Sequence, residues 1–118
     1  MAVISGFGAL AELPWEHVTD KIERRVLAGQ RGMVVWWKMK AGAHAAAHQH
    51  PHEQSVWMLR GKMDFRIGTE RRSMVAGDVA VIPGNVEDAV SHNPAKGTVA
   101  EFHAAMESLS QKSVVDRG

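Results

Sequence analysis

Glycine punctuates the second half of the chain at positions 61, 68, 77, 84 and 97, so a turn can fall every 7 to 13 residues. Between these stops lie short apolar runs, too short for ordinary helices and long enough for strands. "QSVWMLRGKMDFRIGTE" reads as two strands joined around Arg60-Gly61-Lys62. "SMVAGDVAVIPGN" gives two more, with a turn at Ala76-Gly77-Asp78 and a stop at Pro83-Gly84-Asn85. "EDAVSHN" and "GTVAEFHA" follow in the same style, and upstream "RGMVVWWKMKAG" has the β-branched and aromatic content of a strand. This spacing predicts an all-β sandwich or barrel. Two segments are compatible with helix: a short turn in "AELPWEHV", and "AAMESLSQK" near the C-terminus. The Ala-rich "GAHAAAH" lies between strand signals and reads as an approach loop.

The 118 residues suit one domain, and a chain of this size buries roughly 65% of its unfolded surface. The expected division is an N-terminal arm over 1–30, a core over 31–105 and a C-terminal tail over 106–118. A formal net charge of +1 gives no global drive toward nucleic acid or a membrane surface. The absence of cysteine excludes disulfides, cysteine nucleophiles and thiolate metal sites. "MAVISGFGALAELPW" has no Lys or Arg before its apolar part and is broken by two glycines, so it makes a poor signal peptide. No apolar run approaches the ~20 residues of a membrane helix. A cytoplasmic protein is the expectation.

Histidine is the outlier. Four of the seven histidines lie between positions 44 and 52, in and just before "HQHPHEQ". Side chains at i and i+2 on an extended segment share a face, so His48 and His50 can present two imidazoles to one metal ion. Strand parity puts His52 and Gln54 on that face as well, and Pro51 interrupts the segment, so parity alone does not choose between them.

The spacing around this cluster resembles a known family. "GAHAAAHQHPHEQSVWMLRG" is similar to the first cupin motif, G-x5-H-x-H-x3-E-x6-G, carried by Gly42, His48, His50 and Gly61, with Gln54 in place of the glutamate. "GDVAVIPGNVEDAVSH" resembles the second motif: Gly77 and Pro83 match, Asp88 stands where the family has its last ligand histidine, and His92 where it has asparagine. The resemblance implies a jelly-roll β-barrel of two antiparallel sheets with one divalent metal, Zn, Ni, Mn or Fe, at its mouth. The implied ligands are His48, His50, Gln54 and Asp88, with His92, His103 or water as alternatives for the fourth place. Within the family the chain is similar to the small KdgF-type cupins of pectin degradation, which also use glutamine as a ligand after the HxH. They open and tautomerise unsaturated uronates. Their late-strand aspartate and phenylalanine correspond here to Glu101 and His103, which would be the catalytic pair.

On this reading His52 is a rim or supporting residue, Lys38, Arg60 and Arg66 are candidates to bind an anionic substrate group, and of the Trp36-Trp37 pair, whose indoles face opposite ways, Trp36 is the candidate to wall the pocket. The ligand set carries one negative charge, which leaves a divalent ion Lewis-acidic. Three functions fit. One is metal-dependent isomerase- or lyase-like proton transfer on a small keto, enol or uronate substrate. Another is an Fe(II)-dependent dioxygenase with a site like the 2-His-1-carboxylate triad. The third is a non-catalytic cupin that binds a metal or small ligand. Edge strands left open by so small a sandwich predict a homodimer.

Overall fold

A computed structural model describes residues 3–92 and 99–107. Ten strands follow a single 3-10 turn at Leu10–Glu12: β1 (Glu16–Thr19), β2 (Ile22–Ala28), β3 (Gly32–Lys40), β4 (His44–His48), β5 (Gln54–Arg60), β6 (Lys62–Ile67), β7 (Glu70–Val75), β8 (Val79–Ile82), β9 (Asp88–Ser91) and β10 (Val99–Glu107). They form a six-stranded sheet in the order β1-β2-β3-β10-β5-β8 and a four-stranded sheet in the order β4-β9-β6-β7. All neighbouring strands are antiparallel. This is the jelly roll of two antiparallel sheets that the sequence predicts.

The strands alternate as half-buried strands must. In β10, Ala100, Phe102 and Ala104 are buried, while Glu101 and His103 are only partly so and belong to the opposite face. In β3, Met33, Val35 and Met39 are buried and Trp37 packs against them, which leaves Trp36 and Lys38 on the other side. The core between the sheets is rich in methionine, with Met39, Met58, Met63 and Met74 each 2% exposed or less. Unbranched thioethers fill the irregular space between two curved sheets without demanding one rotamer.

Three expectations change. "GAHAAAH" is largely β4, because pairing with β9 overrides the weak strand propensity of alanine. The predicted N-terminal arm contains β1 and β2, and β2 buries Ile22, Val26 and Ala28 along the whole length of β3. Its charged sequence "IERRVLA" conceals an inward apolar stripe that is interrupted by Arg24. In "AAMESLSQK" the residues through Glu107 continue β10 as strand, and the remainder lies outside the described residues. Among the described residues, no helix is long and apolar enough to cross a membrane.

The β5–β6 junction turns on Gly61, whose φ is +78°, a conformation that side chains with a Cβ disfavour. A Cβ there would lie 2.7 Å from both Ala100 Cα and the Val99 carbonyl oxygen. Gly77, with φ +92°, faces open space. Denaturant titration is expected to show Gly61→Ala losing on the order of 2–4 kcal/mol, and Gly77→Ala only the backbone cost of about 1 kcal/mol. Equal losses would refute the close-approach argument.

Candidate metal-binding cleft

The β4–β9 ladder sets His48 directly opposite Asp88. Its register shift between Ala45 and His48 turns the end of β4 so that the imidazole meets the carboxylate, with His48 Nε2 at 3.5 Å from Asp88 Oδ1. His50 comes from the loop that follows. The Pro83–Asn85 turn clamps this loop, because the Asn85 N–H donates to the His50 carbonyl at 2.6 Å. Gly84 lies so close beneath that any Cβ would collide with the Pro51 carbonyl oxygen. One ligand atom from each of His48, His50 and Asp88 falls within 4.8 Å of the others, the one such cluster among the described residues. Ligands bound at roughly 2.0–2.2 Å stand about 3 to 4 Å apart around one ion.

The hydrogen bonds fix the tautomers. His48 Nδ1–H donates to the Ala46 carbonyl and His50 Nδ1–H to the His52 carbonyl, both at 3.0 Å. Carbonyls only accept, so each Nδ1 carries the proton and each Nε2 keeps its lone pair. His50 Nε2 and Asp88 Oδ1 are buried without a hydrogen-bond partner. Asp88 is 3% exposed, and burial raises its carboxyl above the ordinary range against the opposing pull of His48, His50 and Arg66. His48 is half exposed at the mouth of the site, but the buried acceptors of His50 and Asp88, with no donor between them, are unfavourable unless a cation or proton joins them. The donor set therefore fits a divalent ion.

Gln54, on the inward face of β5, lines the same cleft, which encloses about 430 Å³ between the two sheets. His52 lies inside it and not on its rim: the residue is 7% exposed, and its ring stacks on His50 at 4.3 Å and 10°. A larger dish of about 620 Å³ lies over the four-stranded sheet around Asp64, Arg71 and Ser91. It does not contain the three-residue cluster.

His92 is not brought to the site. It lies four residues beyond Asp88, about 13 Å along an extended chain, and its Nδ1–H donates to the Lys62 carbonyl at 2.7 Å. Glu101, His103, Trp36, Lys38 and Arg60 are also elsewhere. They share the outer face of the six-stranded sheet: the first four are one residue out of phase with the cleft, and Arg60, which has the parity of Gln54 and Met58, is turned outward by the register shift between Glu101 and Phe102. Glu101 is ion-paired with Arg60 at 2.6 Å, and Lys38 Nζ stands 4.2 Å from the Trp15 ring centroid. His103 sits edge-on between Trp36 and Trp57, 4.9 Å from each. His103 is thereby excluded as a fourth ligand, and the predicted catalytic pair does not face the cleft.

Of the residues that sequence reasoning missed, two are the inward neighbours of those it chose and the third, Arg24, comes from β2. Phe102, Trp37 and Arg24 line the cleft. Arg24 pairs across the ladder with Trp37, and its Nε donates to Glu16 Oε1 at 2.8 Å. The signal was available in the buried apolar set Ala100, Phe102 and Ala104, which marks that parity of β10 as inward.

Burial between the indoles pushes the His103 imidazole below its ordinary value of 6.5, against a smaller opposing effect of Glu101. A depressed folded-state value means that the stabilising contribution is complete above the unfolded value and is lost as pH falls through the folded one. Lowering the pH from about 7.5 to about 5.5 should therefore cost the wild type more stability than His103→Phe. Parallel losses in denaturant titrations would refute this.

Comparison with known proteins comes to the same architecture. The family described as Cupin domain matches residues 35–105. An RmlC-like cupin from Shewanella frigidimarina superposes with a TM-score of 0.79 at 18% identity, over 91% of this chain and 94% of that one. KdgF from Halomonas sp. gives 0.76 at 23% identity over 86% and 94%. The polyketide cyclase RemF from Streptomyces resistomycificus gives 0.75 at 15% over 88% and 80%. At these identities the likeness is one of fold. A probable metalloprotease of Haloferax volcanii is 39% identical over 61 residues, which cover 51% of this chain and 37% of that protein.

Proposed function

This chain belongs to the cupin family, and from that premise we propose that it is a metal-dependent enzyme that moves a proton on a small oxygen-bearing substrate, in the manner of an isomerase or lyase. The observation that carries this is the convergence of His48 Nε2, His50 Nε2 and Asp88 Oδ1 without a donor. These three residues, with Gln54 in the fourth place, would hold one divalent ion: Zn, Ni, Mn or Fe. Bound there, the ion would polarise an enol, hydroxyl or carbonyl oxygen of the substrate.

The remaining groups of the cleft divide the other tasks. Glu101 and His103 face away, so the proton carrier is sought among the cleft's own titratable groups. His52 is the buried imidazole beside His50 and is the candidate. The apolar walls of Trp37, Phe65 and Phe102 exclude water from the reacting atoms. The name of the Haloferax volcanii relative is consistent with a metal site, but this chain spans only 37% of that protein and peptide cleavage is not proposed for it.

Calorimetric titration of the chelated protein with zinc tests the site. Asp88→Ala and His50→Ala should each weaken binding by at least about 100-fold, and Gln54→Ala by less. Equal affinity in all three variants would sink the proposal. A second reading is Fe(II)-dependent oxygen chemistry, favoured by the two histidines and one carboxylate of the cluster. Oxygen consumption by the ferrous protein with a diketone would favour it, whereas metal binding without turnover of any enol or keto acid would favour a binding protein.

We also propose a homodimer formed through the outer face of the six-stranded sheet. Leu27, Val79 and Val81 are 43%, 74% and 55% exposed there. Trp36 Nε1 and His103 Nδ1 lie on the same face, buried without hydrogen-bond partners. Sedimentation should show a dimer that Leu27→Glu or Val81→Glu converts to monomer; a wild-type monomer would refute it.

A further inference from the structure

The walls of the cleft say what kind of molecule it takes. Met33, Val35, Trp37, Met39, Phe65 and Phe102 present apolar surface along its length. Its polar groups are gathered at two places. One is the cluster of His48, His50 and Asp88 with Gln54 and His52; the other is Arg24 with Thr19, and His44, at the start of β4, is the remaining polar side chain of the lining. A polyhydroxylated sugar acid would bring hydroxyl groups against thioethers and aromatic rings, where they would lose water and gain no partner. A flat apolar body loses nothing on those walls and leaves two polar ends to be matched.

Arg24 is built to match one of them. It is the one arginine among the residues lining this cleft. Its Nε is held by Glu16 at 2.8 Å, and its guanidinium carbon lies 5.8 Å from the Trp37 ring centroid. Glu16 therefore fixes the plane of the group through Nε, while Nη1 and Nη2 make no hydrogen bond among the described residues. Two parallel N–H donors in a fixed plane are the geometry that a carboxylate accepts. Trp37 stands directly across the ladder from Arg24, so a ring against that indole has its acidic substituent within the guanidinium's neighbourhood.

We propose that the substrate is an aromatic or conjugated hydroxy acid or keto acid, and that Arg24 determines specificity by receiving its carboxylate. The ring lies along Trp37 and Phe102, and the enolic or phenolic oxygen is directed to His48, His50 and Asp88. The inference rests on reading the cleft as the substrate site, but its central contrast does not require a bound ion.

Calorimetry on the full chain, zinc-loaded and metal-free, tests it with three probes: 6-hydroxy-2-naphthoate, whose hydroxyl and carboxylate stand at opposite ends of the ring system, 2-naphthol and galacturonate. The naphthoate should bind both forms, at least about tenfold more tightly than 2-naphthol, the increment of a charge-assisted hydrogen bond. Galacturonate should bind more weakly than either. Arg24→Gln should remove the advantage of the acid over 2-naphthol and leave 2-naphthol unchanged, and Arg24→Lys should restore it only in part. Trp37→Ala should weaken both naphthalene probes. Galacturonate binding as tightly as the naphthoate would overturn the substrate class. An acid advantage that survives in a folded Arg24→Gln protein would overturn the role of Arg24. If Arg24→Gln does not fold, Arg24→Lys decides that role: full retention of the advantage overturns it and partial loss supports it. A protein that binds the naphthoate and no zinc would sink the metal reading alone, and one that binds zinc and none of the aromatic probes would sink this inference alone.

Discussion

The pairing of His48 with Asp88 across β4 and β9 is the contact on which the site depends. It brings an imidazole lone pair and a buried carboxylate together at the seam where the four-stranded sheet opens onto the cleft. Everything else in the site is arranged around that rung. The Pro83–Asn85 turn holds His50 against it, and β5 carries Gln54 to the same space from the other sheet. The ladder therefore supplies precision that loops alone would not, since backbone hydrogen bonds fix the register on both sides of the pair.

The charge arrangement follows from the same rung. In the family motif the negative ligand belongs to the segment after the HxH, where this chain has Gln54. Here the carboxylate is on β9, beside Arg66, which is itself tied to Glu87 at 2.8 Å and to the Gly68 carbonyl at 2.7 Å. The anionic side of the site thus lies in the four-stranded sheet, and the neutral amide faces it from the six-stranded one.

The fold was legible because its signals are local and redundant. Turn glycines, β-branched runs and the HxH spacing all point to the same jelly roll, and β3, β5, β6, β8 and β9 fall where the apolar runs predict. β4 and β2 were hidden for a different reason: alanine and paired arginines carry little strand signal, and both strands are fixed by their neighbours in the sheet. Within the cleft, the four residues that the cupin resemblance marks, His48, His50, Gln54 and Asp88, all line one space. Glu101, His103, Trp36 and Lys38 were misplaced by a single step of parity, which in a strand is the difference between the cavity and the outside, and Arg60 by a register shift that alternation does not foresee. The buried neighbours Phe102, Trp37 and Met39 held the correcting information, because an inward face shows itself by what it cannot expose.

The methionines bear on which chemistry such a cleft can sustain. Met33, Met39 and Met106 line the same space as the histidines. A thioether is among the side chains most readily oxidised, and its sulfoxide is polar and chiral. Each such conversion would introduce a polar group into walls that work by being dry, and would loosen a core that relies on sulfur to fill its gaps. A pocket upholstered in this way ages quickly in contact with peroxide or activated oxygen and indefinitely well beside a proton. The vulnerability of its own lining thus weighs for the proposed proton transfer and against the oxygen chemistry that is its rival reading.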